Sequence, residues 1–395
     1  MIESKTQVAI IGGGPSGMLL SLLLHQEGID NVVLERSTRA HVLSRIRAGV
    51  LEWSTVELLR RAGIGKRMDR EGHVHNGTQV AWGGEHTLLF DINTYTGRHL
   101  MAYGQTAITE DLYQAHDALG SEVHHQVEQV ELHELTGQPF VTYTQDGQTH
   151  RLNCDAIAGC DGFHGVSRGS IPANVQRNFE KVYPFGWLGI LSETPPLDDI
   201  WYIQHPDGFA LASQRNPMLS RYYVQCDLND RPEDWSDERF WQTLLERMPP
   251  KLAAQVVTGP SIEKSIAPLR SFVTEPMRYG QLFLVGDAAH IVPPTGAKGL
   301  NLAMSDVYYL WRALVGRYRH NSEDLVDRYS QVALKRVWDT TRFSWWVTTL
   351  LHRFPDQTDF DLRTRLSELQ YLSDSPLAMH QLAEQYGGFP IEDWG

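Results

Sequence analysis

TQVAIIGGGPSGMLLSLLLHQEGIDNVVLE, Thr6 to Glu35, decides the architecture. A β-branched run, TQVAII, leads into Gly12-x-Gly14-x-x-Gly17, then an apolar-rich helix through Gly28, then a second strand, NVVLE. That order opens a βαβ unit. The glycines answer three needs: a tight turn, close approach of the backbone to a pyrophosphate, and close packing of helix on strand. Glu35 ends the second strand, where a carboxylate can accept from ribose hydroxyls. A glycine fingerprint alone is weak evidence, and a glycine turn without ligand is the competing reading. Strand, helix and acid in register make the signal strong, although they do not separate NAD from FAD.

Further strand-like runs follow at Gln79 to Trp82, Val141 to Thr144, Ala156 to Gly159, Trp187 to Leu191, Ala210 to Gln214, Tyr222 to Cys226 and Leu282 to Val285. From Gly299 the pattern turns helical, with runs at Leu300 to Leu310, Leu325 to Trp338 and Phe343 to Leu351. Strand-rich segments interrupting a βαβ scaffold predict a mixed α/β fold. It comprises a nucleotide-binding domain with a second sheet inserted, closed by C-terminal helices.

Two other segments share the polar-turn character of the first. AGCDGFHGVSR, Ala158 to Arg168, follows an apolar strand and places Asp161, Gly162, His164 and Arg168 in a tight turn; taken alone it reads as a capped loop. LFLVGDAAHIVPPTGAKGLNLAMSDV, Leu282 to Val307, runs from a buried strand through Gly286-Asp287 and a Pro-Pro loop to a helix start at Gly299. Asp287 is placed to bond a polyol. The N–H groups of Gly299, Leu300 and Asn301 point out of that helix start, an environment that favours negative charge.

FALASQRNPMLSRYYVQ, Phe209 to Gln225, reads as a hairpin turning through Asn216 and Pro217. Alternation puts Phe209, Leu211, Ser213 and Arg215 on one face, and Arg221, Tyr223 and Gln225 on one face of the return strand. A hydroxyl, a guanidinium and a phenol beside an apolar floor suit a small planar anion. Taken alone, the segment also reads as an ordinary amphipathic hairpin with a surface arginine.

The 395 residues predict two or three domains. Lys+Arg 35 against Asp+Glu 48 gives a net charge of -13, which disfavours nucleic acid and anionic membranes as partners. Cys154, Cys160 and Cys226 cannot pair completely and lack metal-ligand spacing, so no metal is expected and a reducing compartment is. The polar N-terminus and the absence of a long apolar run lead to an expectation of a soluble, cytoplasmic protein.

The three polar-turn segments together resemble the signature of the FAD-dependent aromatic hydroxylases, the class A flavoprotein monooxygenases. RIRAGVLE at Arg45, YGQT at Tyr103, CDGFHG at Cys160, YPFGWLG at Tyr183, SRYYVQ at Ser220, SIAPLRSF at Ser265, GDAAHIVPPTGAKGLNLA at Gly286 and RFSWWVTTLLHRFP at Arg342 extend the resemblance from about Thr6 to Tyr386. The branch they resemble implies hydroxylation of 4-hydroxybenzoate to 3,4-dihydroxybenzoate with O2 and NAD(P)H through a flavin C4a-hydroperoxide. It also implies a division into a discontinuous Rossmann-like FAD-binding domain (1–75, 99–182, 268–320), an antiparallel-sheet substrate domain (76–98, 183–267) and a C-terminal helical region (321–395).

Carried over residue by residue, the resemblance implies that Ser213, Arg215 and Tyr223 hold the substrate carboxylate, with Leu211 against the ring. Tyr202 would bond the phenol, Tyr386 would bond Tyr202, His75 would pass the proton to solvent, and the carbonyl of Pro294 would help orient the phenol. For FAD the implied contacts are Gly12, Gly14, Ser16, Gly17, Glu35, Arg45, Ile46, Arg47, Ala48, Gly49, Val50, Gln105, Asp161, Asp287, Gly299, Leu300 and Asn301. Arg221 would help set the flavin position. Arg36, Arg47, His164 and Arg270 would meet the nicotinamide donor. Arg36 and Arg39 beside Glu35 lean toward NADPH, while His41 stands where NADPH-preferring relatives carry tyrosine, so NADH stays open.

PPLDDIWY, Pro195 to Tyr202, is one residue shorter than the family pattern, which puts Ile200 and Trp201 beside the ring and leaves tolerance for other benzoates open. The competing readings are a sister hydroxylase for another substituted benzoate and a non-catalytic flavin sensor. GWLG at Gly186 does not make the Trp-x-Trp-x-Ile-Pro of a flavin halogenase, and paired redox cysteines of a disulfide reductase are lacking. Phe343, Trp345, Trp346, Leu350 and Leu351 would form a homodimer surface on the family's pattern, or else an intrachain core.

Overall fold

The structure is a computed structural model that describes residues 1–44 and 49–391. Arg45, Ile46, Arg47 and Ala48, expected among the flavin and nicotinamide contacts, lie outside the described residues. The opening stretch folds as a strand at Val8–Ile11, a helix at Pro15–Gln26 and a strand at Asn31–Glu35. Pro15 starts the helix, where its missing N–H costs nothing. Gly28, at φ +65, leads the chain out of it through a left-handed turn.

The two strands are buried on both sides and pair in parallel, as a near-continuous Val/Ile/Leu run requires. They sit within a six-stranded sheet ordered Arg278–Tyr279, Leu282–Leu284, Ala156–Gly159, Val8–Ile11, Asn31–Glu35, Val123–His125. The strands that precede all three polar-turn segments are therefore neighbours, and their C-terminal ends open on one side. Such an edge is where open α/β sheets bind ligands.

A second sheet has eight strands, ordered His290–Ile291, Ser261–Glu275, Arg177–Ser192, Leu219–Cys226, Ala210–Asn216, Trp201–Ile203, Gly77–Trp82, His86–Asp91. The hairpin lies at its middle, in the register Leu211↔Tyr223 and Ser213↔Arg221, so Leu211, Ser213, Arg221 and Tyr223 share a face as alternation groups them, while the register shifts at Arg215, between Gln214 and Asn216. Asn216 closes its turn by accepting the Met218 N–H at 2.9 Å. Four-stranded and three-stranded sheets flank these two.

The runs read separately as Leu325 to Trp338 and Phe343 to Leu351 form one helix, Asp324–Leu351, because no Gly or Pro between them breaks it. Phe343, Leu350 and Leu351 are intrachain core, packed with Tyr202, Leu211 and Tyr386, rather than surface. Trp346 is half-buried against the same cluster, and of the five residues only Trp345 is exposed. Trp201 and Tyr202 alternate on their strand: Ile200 and Tyr202 join that core, while Trp201 packs on the opposite face. The three cysteines are free. Burial pushes the thiols of Cys154 and Cys226 up to about 12 and about 11, and that of Cys160 well above its usual value. No helix among the described residues is long and apolar enough to cross a membrane.

Candidate active site

A cleft open to solvent, with about 1610 Å³ of empty space, runs along the C-terminal edge of the six-stranded sheet. Its walls include Gly12, Gly14, Ser16, Glu35, Val50, Gln105, Asp161, Asp287, Pro294, Gly299 and Leu300. The glycines divide their roles as the fingerprint requires. A Cβ on Gly12 would stand 2.3 Å from the Cys160 carbonyl oxygen, and one on Gly17 would stand 2.0 Å from that of Gly12, whereas Gly14 and Gly299 face open space. Two helix starts thus turn bare backbone toward one cleft.

The carboxylate of Glu35 accepts the N–H groups of Gly13 and Ser37, each at 2.7 Å, which fixes it on the cleft wall. Asp161 accepts the N–H and hydroxyl of Ser167, both at 2.9 Å, through one oxygen. Its other oxygen is buried without a partner, and burial raises its pKa despite Ser167. Arg168 lies over the rings of Phe163 and Phe272 and donates to the carbonyls of Phe163 and Ala288, tying the Asp-Gly turn to the Gly-Asp turn. A buried acid missed in the sequence, Asp306, accepts from Gly286 at 2.9 Å and His290 at 2.6 Å and so holds the second turn.

The cleft wall at Pro294 and Ala297 adjoins the eight-stranded sheet. Gly296 N–H donates to the Tyr202 hydroxyl at 3.1 Å, and the Tyr386 hydroxyl donates to the same oxygen at 3.3 Å. With both acceptor positions filled, the Tyr202 proton is free to point elsewhere. Burial raises the pKa of Tyr202, keeping it a neutral donor. The Pro294 carbonyl already accepts from Ala297 N–H at 2.9 Å, leaving one lone pair available.

Tyr202 pairs across the sheet with Leu211, and Leu211 with Tyr223, so the hairpin face continues directly from the tyrosine. Arg215 stands four residues beyond Leu211, about 13 Å along the strand. Its guanidinium bonds Ser213 Oγ at 3.4 Å and the Gln214 carbonyl at 3.2 Å and interacts with the Tyr223 phenol, its Nε is buried without a partner, and burial lowers its pKa. Among the described residues no carboxylate pairs with Arg215. Arg221, by contrast, is neutralised by Glu263 at 2.9 Å and lies over the Tyr223 ring.

His75 is buried, its Nε2 lacks a partner, and burial lowers its pKa. The Tyr386 hydroxyl bonds Thr78 at 2.7 Å, a residue absent from the expected relay. Beneath Tyr386 lies a buried ionic group, also missed. Lys298 reaches Glu52 at 2.7 Å and the Tyr386 carbonyl at 2.6 Å, and Arg336 reaches the other oxygen of Glu52 at 3.2 Å. Its partners lie hundreds of positions apart, although a lysine in the apolar loop before Gly299 is a signal the sequence did offer. The side chain of Asn301 is turned inward, bonding Glu52 N–H and the carbonyls of Val50 and Ala297, so only its backbone serves the helix start.

Of the donor contacts, His164 is exposed beside Phe163, and Arg270 stacks on the same ring while pairing with Glu180 at 3.3 Å. Arg36 is exposed at the cleft mouth. Arg39 is engaged in a two-pronged pair with Asp117 at 2.7 and 2.8 Å, which removes it from the cationic patch inferred beside Glu35.

A family model described as FAD binding domain matches residues 5–344. The chain is 49% identical over 394 residues to p-hydroxybenzoate hydroxylase of Acinetobacter baylyi, covering 99% of this chain and 97% of that protein. It is 26% identical to 6-hydroxy-3-succinoylpyridine 3-monooxygenase HspB of Pseudomonas putida, covering 82% of this chain and 84% of that one. The solved structure of p-nitrophenol 4-monooxygenase PnpA from Pseudomonas putida DLL-E4 superposes with a TM-score of 0.83 at 17% identity, over 99% of this chain and 100% of that one.

Proposed function

The chain belongs to the FAD-dependent aromatic hydroxylases, and from that membership we propose that it hydroxylates 4-hydroxybenzoate at C3 to give 3,4-dihydroxybenzoate. One observation carries the substrate: an arginine without a carboxylate partner and a tyrosine with an undirected proton stand at opposite ends of one apolar sheet face. A half-buried cation without a directly paired carboxylate calls for an anionic ligand. A para-hydroxylated benzoate carries an anion at one end and a phenol at the other, the two groups that these residues would receive. Arg215, Ser213 and Tyr223 receive the carboxylate, and Leu211 packs on the ring. Tyr202 donates to the phenol oxygen, and the free lone pair of Pro294 accepts from the phenol.

Attack by the ring carbon next to the phenol is favoured when the phenol is ionised, and burial opposes that ionisation. Tyr202 counters by offering a proton to the developing phenolate. Lys298 and Arg336 with Glu52 leave one net positive charge buried behind Tyr386. His75, kept neutral by burial, is ready to accept a proton at the far side.

FAD fits the cleft. The bare backbone at Gly14 and Gly299, the fixed carboxylate of Glu35 and the unpartnered Asp161 oxygen are what a dinucleotide would meet. Ser16, Val50, Gln105 and Asp287 share those walls. When bound, the flavin supplies the oxygen-transfer chemistry. The balanced reaction consumes 4-hydroxybenzoate, O2, NADPH and a proton, and yields 3,4-dihydroxybenzoate, NADP⁺ and water. Arg36, His164 and Arg270 are the proposed donor contacts, and Arg221, beside the clamp, the residue that sets flavin position. The reading includes the division into flavin-binding, substrate-binding and C-terminal regions, a cytoplasmic location and a homodimer.

Aerobic NADPH consumption by the FAD-loaded protein, with and without 4-hydroxybenzoate, tests it. Strong stimulation matched by 3,4-dihydroxybenzoate on chromatography is the expected result. Stimulation that yields only hydrogen peroxide would transfer the assignment to a hydroxylase of another benzoate. No stimulation by NADPH or NADH would remove the substrate assignment.

A further inference from the structure

We propose that the Thr78 hydroxyl is a working member of the proton relay, the group through which the Tyr202–Tyr386 pair can reverse its hydrogen-bond direction. The proposal rests on the reading that Tyr202 meets the substrate phenol. Thr78 lies in the strand Gly77–Trp82, fully buried, with Oγ1 2.7 Å from the Tyr386 hydroxyl, and either oxygen can donate.

A hydroxyl has one proton to give and lone pairs to receive. When Tyr386 donates to Tyr202, Thr78 donates to Tyr386, and the chain of O–H groups points at the substrate, where it stabilises a phenolate. When a neutral phenol donates to Tyr202, the order runs the other way, and Tyr386 needs an acceptor. Thr78 provides it. Ionisation of the phenol breaks its O–H bond and forms one at Tyr202, while each hydroxyl passes its own proton one place outward.

His75, three positions earlier, is buried with an unpartnered Nε2 and is the acceptor the proposal places beyond Thr78. His73 packs on its ring at 4.9 Å, and Asp199, held by Gln79 at 3.1 Å, is the acid acting on it. Lys298, paired with Glu52 and through it with Arg336, donates to the Tyr386 carbonyl and lies 5.5 Å from the centre of its ring. Among the described residues Thr78 and Tyr202 are the hydroxyls that the Tyr386 hydroxyl bonds. Thr78 carries no charge of its own, so it transmits direction without fixing it.

The test follows the ultraviolet absorbance of bound 4-hydroxybenzoate across pH, and its relaxation after a pH jump, in FAD-loaded wild type and in the Thr78→Val and Thr78→Ser variants. Thr78→Val, which replaces the hydroxyl by a methyl of the same shape, is expected to raise the ionisation constant of the bound phenol about 5-fold, because the neutral-phenol order strands the Tyr386 proton while the phenolate order still directs it at Tyr202, and to slow the relaxation. Thr78→Ser is expected to restore both. A Val variant with the wild-type midpoint and rate would overturn the proposal, as would a Ser variant that behaves like Val.

Wild type alone gives a second reading, independent of whether the variants fold. A rate that bends with the fraction of heavy water reports several protons in flight, and a strictly linear dependence would overturn the relay. If wild type binds the benzoate without ionising it, the functional reading fails and the inference with it. If wild type ionises it and the variants do not differ, only the inference fails.

Discussion

The two ends of the substrate face are built from opposite materials. At the hairpin end, Arg215 and Arg221 crowd beside Tyr223, and only Arg221 has an acid to balance it. At the other end Tyr202, Tyr386 and Thr78 form a line of neutral hydroxyls, with charge set back behind them in Lys298, Glu52 and Arg336. A fixed charge suits binding, because it is always present and its cost of burial is offset only by an anion. Neutral hydroxyls suit proton movement, because each can give and receive. In this reading selection and chemistry fall at different ends of one sheet face.

The separation can be broken at either end. Tyr202→Phe should leave benzoate affinity within a few-fold and lower product formation by about 10²–10⁴-fold, the usual range for a positioned proton-transfer group; single-turnover kinetics with product analysis would show it. Unaltered hydroxylation would remove Tyr202 from the chemistry. Arg215→Ala should do the reverse, weakening benzoate binding by about 2–5 kcal/mol while FAD stays bound, as measured by titration of the flavin spectrum. An unchanged affinity would dissolve the distinction between the ends.

A smaller effect tests what the ends share. Tyr202 packs on Phe209, Phe209 on Trp187 and His352, and Trp187 on Tyr223, so one aromatic stack backs both. His352 accepts the Trp187 N–H at 2.7 Å, and burial pushes its pKa down to about 3 from 6.5. The unfolded chain binds this proton first, so the stability it confers is present above about pH 6.5 and is lost as pH falls toward 3. At pH 4.5 the loss is about 3 kcal/mol. His352→Gln, compared with wild type by denaturant unfolding across that range, should give a curve flatter by about one proton; parallel curves would sink the claim.

The strands and the faces of the hairpin were legible because alternation is local: Leu211, Ser213 and Arg215 could be grouped before any contact was known. The cleft was legible because GxGxxG, the Asp-Gly turn and the Gly-Asp turn each follow a buried strand. Pairings across the chain were not. Thr78 meets Tyr386 and Glu52 meets Lys298 over separations of 308 and 246 residues, and nothing near a threonine in a strand marks it as a partner of Tyr386. Arg39 misled for the same reason, since Asp117 lies 78 positions away. Phe343 and Leu351 carry the apolar character of either a core or an interface, and only packing distinguishes the two.

The state of the thiols has a consequence for how this enzyme ages. Chemistry with O2 at a flavin exposes the surrounding protein to hydrogen peroxide whenever oxygen fails to reach the substrate. Peroxide attacks thiolate, not thiol. Cys154 and Cys226 are held near 12 and 11, and Cys160, on the wall of the flavin cleft itself, is held higher than usual by burial. At neutral pH these sulfurs are less ionised than ordinary thiols, so the first rung of cysteine oxidation is slowed at all three. The site that handles the oxidant is lined so as not to be consumed by it.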